Sequence, residues 1–97
     1  MNEQKVRGML GLAVRARQVC FGEDACRKLV SRGRCGLVLL DGDASENTRR
    51  KYESLCEREG IEIRILPSGL MAEATGRDNI AAALNKGSFA EQMKVCL

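Results

Sequence analysis

Two carboxylates stand one residue apart in this sequence, at a place where they could bind a metal ion. Asp41 and Asp43 flank a glycine directly after the apolar run Gly36–Leu40. Open α/β sheets often bind ligands where a buried strand ends, and paired carboxylates there could hold Mg²⁺ for phosphoryl transfer. No lysine or threonine partner follows at a recognisable spacing, so a turn followed by a helix cap is the favoured interpretation.

Other catalytic chemistry finds little support. The chain has no histidine, which excludes imidazole acid–base catalysis and histidine-ligated metals. No glycine-rich phosphate loop follows a strand, and the five cysteines form no C-x-x-C pair. Cys26, Cys35 and Cys56 stand among apolar neighbours and are expected to be buried, while Cys20 or Cys26 near Arg27 could be redox-sensitive. We therefore predict no enzyme, no cofactor and no bound metal.

A glycine at the start of a basic helix offers a different chemistry, the binding of phosphate groups. Gly22 precedes apolar residues at helical spacing, and it leaves the first N–H groups of the helix free for a phosphate or an unpaired base. The basic residues on this stretch are Arg27, Lys28, Arg32 and Arg34. Ion pairs Glu23–Arg27 and Asp24–Lys28 would explain part of this charge pattern, but they do not explain why further basic side chains follow the acidic ones.

The distribution of charge supports a polyanionic partner. The 97 residues have a net charge of +3, but residues 1–34 hold eight basic side chains against three acidic ones. Arginine outnumbers lysine there, which favours bidentate phosphate or base contacts, although arginines that merely solubilise helix surfaces would give the same count. One Tyr, two Phe and no Trp argue against a stacking platform for single-stranded nucleic acid.

The chain shows no signal peptide and no apolar run of the roughly 20 residues that span a bilayer. A disulfide framework would imply secretion, and the odd number of cysteines does not favour one. We expect a cytoplasmic protein with no membrane partner.

Helical and extended patterns alternate along the chain. The first half of the chain predicts a helix over 3–16, a strand over 18–21, a helix over 22–32 ended by Gly33, and a strand over 36–40. A helix capped by Asp43 or Ser45 and ended by Gly60 follows, and then a strand over 61–65 that is covered on one face. The last predicted elements are a short helix from Pro67 to Ala74 stopped by Gly76, a strand over 80–84, and a helix that begins with a Ser88/Glu91 capping box. This order predicts an α/β fold: one domain over 1–97, a three-layer α/β/α sandwich around a four-stranded mixed sheet.

The chain also resembles a known family. The segments GEDACRKLVSRG, CGLVLLDGDASENT and IEIRILPS, the short helix ending at Gly76 and the terminal KGSFA are similar to the kink-turn-binding ribosomal-protein family (the L-seven-Ae family), in its small bacterial YlxQ-like branch. The resemblance covers nearly everything from Val6 to Met93. It implies an α/β/α sandwich that binds structured RNA, a kink-turn or a related bulged helix in ribosomal RNA.

The resemblance also implies which residues contact RNA. The family's RNA-contacting helix start falls on Gly22, Glu23, Asp24 and Ala25, and its phosphate-binding lysine on Lys28. A second contact falls on the loop Gly76, Arg77, Asp78, Asn79 and Ile80. The chain departs from the family at Asp24 and Ala25, where members that bind kink-turns usually have Asn followed by a polar residue. An ionised Asp only accepts hydrogen bonds, whereas Asn both donates and accepts.

Two interpretations follow. In the first, Lys28, Arg32 and Arg34 neutralise phosphates, Glu23 and Asp24 meet unpaired bases, and Arg77–Asn79 close from the other side. The second is a protein-interaction module that uses the same edge to bind an acidic partner on the ribosome or transcription machinery. The sequence names neither the RNA nor the oligomeric state.

Overall fold

The computed structural model describes all residues from Met1 to Leu97 and contains five helices and four strands. In chain order they are α1 (Glu3–Arg15), β1 (Val19–Phe21), α2 (Glu23–Ser31), β2 (Cys35–Asp41), α3 (Glu46–Glu59), β3 (Glu62–Leu66), α4 (Leu70–Thr75), β4 (Ala81–Asn85) and α5 (Ser88–Cys96). No helix among them is long and apolar enough to cross a membrane.

The four strands form one sheet in the order β1-β4-β2-β3. β2 pairs with β3 in parallel, and β4 lies antiparallel to both β1 and β2. β2 lies inside the sheet, and helices cover both of its faces. Its side chains are therefore buried on both sides, which explains its continuous apolar sequence. The predicted mixed, four-stranded sheet is confirmed.

Alternate residues of the central strands supply two separate cores. On one face, Leu37 and Leu39 of β2 pack with residues of α1, α4 and α5. On the other, Val38 and Leu40 pack with residues of α2 and α3. The α/β/α sandwich is therefore confirmed, and each face is held by apolar burial worth about 25 cal/mol per Å² removed from water.

Most predicted helix ends are confirmed, but the cap predicted for the last helix is wrong. Ser45 caps α3 by accepting the Thr48 N–H at 3.1 Å, and Gly60 ends that helix in the left-handed region. The Ser88/Glu91 capping box does not form, because Gly87 occupies the cap position and Ser88 is already inside α5. The Ser88 hydroxyl instead accepts a hydrogen bond from Gln92 Nε2 at 2.7 Å.

The outer strand β3 differs slightly from the predicted strand over 61–65. Ile61 and Ile63 pack against the core beneath α2 and α3, as the alternation predicts, but Ile65 remains 39% exposed. Leu66, outside the predicted strand, is buried in the opposite core. The short helix also begins later than predicted, at Leu70, after a turn in which the Leu70 N–H donates to the Pro67 carbonyl.

Candidate nucleic-acid interface

The start of α2 is an uncapped helix end. Gly22 has φ 92° and ψ 157°, a conformation that suits glycine, and no side chain caps the helix. The Gly22 N–H donates to the Ala81 carbonyl, and the first bond of the helix runs from the Cys26 N–H to the Gly22 carbonyl. The N–H groups of residues 23–25 therefore have no acceptor within the protein, and they can bind an anion or a base.

The loop Gly76–Ile80 lies directly beside this helix start. The Asp41 N–H donates to the Ile80 carbonyl at 2.7 Å, which fixes the loop at the end of β2. Ile80 is 40% exposed and lines a cleft with Gly22. A Cβ built on Gly22 would meet no atom within 4 Å, so the space in front of the helix is open. The structure thus brings together the two segments that the sequence analysis assigned to one edge. Their role in RNA binding remains a prediction.

Arg77 is positioned by an aromatic ring. Its guanidinium carbon lies 5.2 Å from the centroid of the Phe21 ring, at the end of β1, a cation–π distance. The Arg77 N–H donates to the Thr75 hydroxyl at 3.1 Å, which fixes the start of the loop. Asp78 is exposed and Asn79 is partly buried. This loop therefore places a cation next to the start of α2.

The ion pairs on α2 differ from the predicted ones. Asp24 pairs with Arg27 at 2.9 Å rather than with Lys28, and Glu23 faces Lys51 of α3 at 3.9 Å rather than Arg27. Such exposed pairs contribute at most about 1 kcal/mol each. Lys28 is exposed and belongs to no ion pair, so its ammonium is available to a phosphate.

Arg32 and Arg34 do not lie at this edge. They follow the last turn of α2, and the Arg34 carbonyl accepts the Lys86 N–H at 2.9 Å, at the opposite end of the sheet. Nine helical residues rise about 14 Å, and this length separates the two arginines from Gly22. Helical spacing places Arg32 on the same side of α2 as Asp24 and Lys28, and Arg34 follows just beyond the helix, which is why the sequence suggested one surface.

The two aspartates at the end of β2 accept hydrogen bonds that hold the neighbouring loops. Asp41 is only 6% exposed, and its two carboxylate oxygens accept the N–H groups of Asp43 at 2.8 Å and Gly69 at 3.1 Å. Asp43 accepts the Ser68 hydroxyl at 2.9 Å. No group of three or more acidic, cysteine or histidine side chains is arranged to hold a metal ion. These contacts support the turn interpretation over a magnesium site, although Ser45 rather than Asp43 is the helix cap.

The cysteines are all free thiols. Cys26, Cys35 and Cys56 are buried as predicted, and burial raises the pKa values of Cys35 and Cys56 to about 11. The Cys26 thiol lies within hydrogen-bond reach of Cys20, which lowers the pKa of Cys20 to about 7 although partial burial opposes the shift. The same hydrogen bond and burial raise the pKa of Cys26. Cys20 therefore has more thiolate character than the buried thiols of Cys26, Cys35 and Cys56.

Two residues of α3 complete the cleft, although nothing in the sequence pattern indicated a place there. Thr48 and Tyr52 line the cleft beside Gly22 and Ile80, and the Tyr52 hydroxyl donates to the Glu23 carbonyl at 3.4 Å. Burial raises the pKa of Tyr52, so the phenol stays protonated and able to donate. Helical spacing placed Thr48 and Tyr52 on the inward face of α3, and only the packing of α3 against α2 brings them to this edge.

The chain is similar in sequence to known proteins over most of its length. A model of the ribosomal protein L7Ae/L30e/S12e/Gadd45 family matches residues 4–93. The RNA-binding protein YlxQ of Bacillus subtilis (strain 168) is 33% identical over 87 residues, 88% of this chain and 87% of that protein.

Two solved structures share the fold. A protein of unknown function from Bacillus halodurans C superposes with a TM-score of 0.90 at 28% identity, over 95% of both chains. A 15.5kD RNA binding protein of Giardia lamblia superposes with a TM-score of 0.75 over 97% of this chain and 88% of its own. Its 15% identity limits that likeness to the fold.

Proposed function

This chain belongs to the ribosomal protein L7Ae/L30e/S12e/Gadd45 family, and we propose that it binds structured RNA at the α2–loop edge. That edge comprises Gly22–Ala25, Lys28 and the loop Gly76–Ile80. The family and the 33% identical RNA-binding relative support RNA binding without catalysis. The observation that supports this particular edge is the uncapped start of α2 beside an exposed loop, with the unpaired Lys28 about 9 Å further along the same helix.

Each group at the edge has a distinct chemical role in this proposal. Lys28 and the free N–H groups of residues 23–25 bind phosphate oxygens. Ile80, 40% exposed, gives an apolar surface for the face of an unstacked base. Asp24, whose side chain is 82% exposed, accepts hydrogen bonds from a base amino or imino group, and its pairing with Arg27 reduces its repulsion of phosphates.

Such an edge fits RNA with unstacked bases better than a regular duplex. Side chains cannot read the deep, narrow major groove of A-form RNA, and sequence-specific RNA recognition mostly uses the unstacked bases of bulges and loops. We propose a kink-turn or related bulged helix, most directly in ribosomal RNA, bound in the cytoplasm by a protein that acts within a ribosomal assembly.

Replacing Lys28 with alanine tests the edge. We expect the Kd for a bulged RNA to rise about tenfold, because a charge-assisted phosphate contact contributes roughly 1–2 kcal/mol, and the slope of log K against log salt to fall by nearly one unit. Binding to a straight duplex of equal length should change much less. Fluorescence anisotropy at several salt concentrations measures both quantities.

The matched control is Lys94→Ala, which removes a lysine that pairs with Glu91 on the far layer. It should leave both affinities unchanged. If the wild-type protein binds both RNAs weakly and equally, and Lys28→Ala has no selective effect, the chain is better described as a protein-interaction module.

A further inference from the structure

A second group of basic side chains lies at the end of the sheet opposite to the α2–loop edge. Arg17, Arg34 and Lys86 are exposed, and none of them has an acidic group within ion-pairing distance of 4.0 Å. Half of the basic residues in the chain are neutralised by ion pairs. Three neighbouring basic residues without an ion pair therefore form a local positive surface.

Backbone hydrogen bonds bring these three residues together. The Lys86 N–H donates to the Arg34 carbonyl at 2.9 Å, and the Asn85 N–H donates to the carbonyl of Gln18, the residue after Arg17, at 3.0 Å. An open cleft of about 380 Å³ lies between Arg34 and Lys86, and Arg17 directly precedes its lining residue Gln18. It is lined by Gln18, Leu29, Gly33, Arg34, Asn85 and Lys86, with no acidic residue.

The floor of the cleft is polar. The Asn85 side-chain amide donates to the Gln18 side-chain oxygen at 3.3 Å, which holds the two amides side by side. Amide groups beside the Arg34 and Lys86 cations suit a phosphodiester, whose oxygens accept hydrogen bonds while the cations balance the charge. On the other side of Lys86 a neighbouring cleft contains Glu59, Glu62 and Glu91, so the positive surface ends there.

Arg17 adds an independent observation. It is the only residue other than glycine with a positive φ, at 57°, while six glycines take up the other such positions. Its conformation ends α1 through bonds from the Arg17 N–H to Val14 and from the Gln18 N–H to Ala13, a motif in which glycine is favoured. An arginine at a position that suits glycine sacrifices stability, which points to a function for its side chain.

We infer that Arg17, Arg34 and Lys86 form a second phosphate-binding surface, the distal cleft, for a helical arm of the same RNA. This inference rests on the proposed function, because the α2–loop edge must hold the bulge from which the arm extends. The two surfaces are separated by the length of α2, about 14 Å. A-form RNA rises less per base pair than the roughly 3.4 Å of DNA, so an arm must run about five base pairs beyond the bulge to reach the cleft.

Arm length therefore separates the two surfaces experimentally. Two bulged RNAs are compared that differ in the helical arm facing the cleft. The short arm has about two base pairs, with its strand ends joined by a covalent linker, and the long arm has about ten base pairs. The wild-type protein should bind the long-armed RNA more tightly. The triple variant Arg17→Gly/Arg34→Gln/Lys86→Gln should bind it at least tenfold less tightly than wild type, with a salt slope smaller by two to three units, and bind the short-armed RNA unchanged.

Arg17→Gly alone distinguishes a binding role from a structural one. It should raise the midpoint of thermal unfolding by a few degrees, because glycine suits the left-handed conformation, while it weakens binding of the long-armed RNA about threefold. Arg64→Gln is the matched control, since Arg64 pairs with Glu62 on the outer strand β3. It should change neither RNA affinity.

Two results would overturn the distal cleft. The triple variant could bind the long-armed RNA as tightly as wild type, in which case the cleft contacts no RNA and an acidic protein face becomes its partner. Equal losses on both RNAs would show a general electrostatic effect.

The proposed function is tested separately by wild-type binding of the short-armed RNA. If that binding fails, both proposals fail, and if only the dependence on arm length is missing, the α2–loop edge stands alone.

Discussion

Replacing Gly22 with alanine is expected to lower both the stability of the protein and its affinity for bulged RNA. The Gly22 backbone has φ 92° and ψ 157°, a conformation that is open almost only to glycine, and forcing an L-residue into it costs about 1–3 kcal/mol. The added methyl group meets no atom within 4 Å, so the loss comes from the backbone alone. We expect the variant to relieve this strain by rotating the backbone at position 22, which would reorient the free N–H groups of residues 23–25.

We therefore expect Gly22→Ala to raise the Kd for bulged RNA about tenfold at a temperature where the variant is fully folded. Urea unfolding and fluorescence anisotropy measure the two effects. Gly8→Ala is the matched control, because Gly8 lies on the exposed side of α1 with no atom near its Cβ position. That change should stabilise the protein by up to about 1 kcal/mol and leave RNA binding unaltered. A Gly22→Ala protein as stable and as active as wild type would contradict the assigned helix start.

Replacing Asp41 with alanine is expected to destabilise the fold by about 3 kcal/mol. Its carboxylate is nearly buried and accepts two backbone N–H groups, those of Asp43 and Gly69, which belong to two different loops. Removal of the carboxylate leaves both donors without a partner, and each unsatisfied group costs roughly 1–3 kcal/mol. Both loops begin where strands end at the α2–loop edge, so their order depends on this side chain.

Two further variants make this expectation specific. Asp41→Asn keeps the shape but turns one oxygen into a donor that faces a backbone N–H, so it should lose about half as much stability as Asp41→Ala. Asp43→Ala removes only the bond to the Ser68 hydroxyl and should cost less than about 1 kcal/mol. Urea unfolding monitored by circular dichroism measures all three. An Asp41→Asn protein with wild-type stability would reopen the interpretation of Asp41 and Asp43 as a metal site.

The sequence predicts this fold well because its elements have clear periodicities. The apolar run in β2 and the helical stripes around it each indicate which faces must be buried, and Gly33, Gly60 and Gly76 mark helix ends with positive φ. The capping box at Ser88 fails because Gly87 takes the cap position, a choice between two adjacent residues that spacing alone does not decide. Local pattern therefore predicts the elements better than their boundaries.

The composition of the candidate site is harder to predict from the sequence, because it depends on the end of the sheet at which each residue lies. Helical spacing groups Lys28 with Arg32, and Arg34 follows just beyond the helix, yet the two arginines lie about 14 Å from Gly22. Tyr52 and Thr48 belong to the inward face of α3 by their spacing, and only tertiary packing places them at the cleft. The left-handed Arg17 gives no local signal, since its sequence is an ordinary basic helix end.

The central claim, that the α2–loop edge binds RNA with unstacked bases, is tested most directly by one comparative titration. Wild-type protein is titrated into a bulged RNA and into a straight duplex of equal length and charge, each at a low and a high salt concentration. We expect tighter binding of the bulged RNA at both salt concentrations, with a preference that persists when salt weakens both complexes, because contacts to bases are not screened as phosphate contacts are. Equal affinities that fall together with salt would contradict the claim.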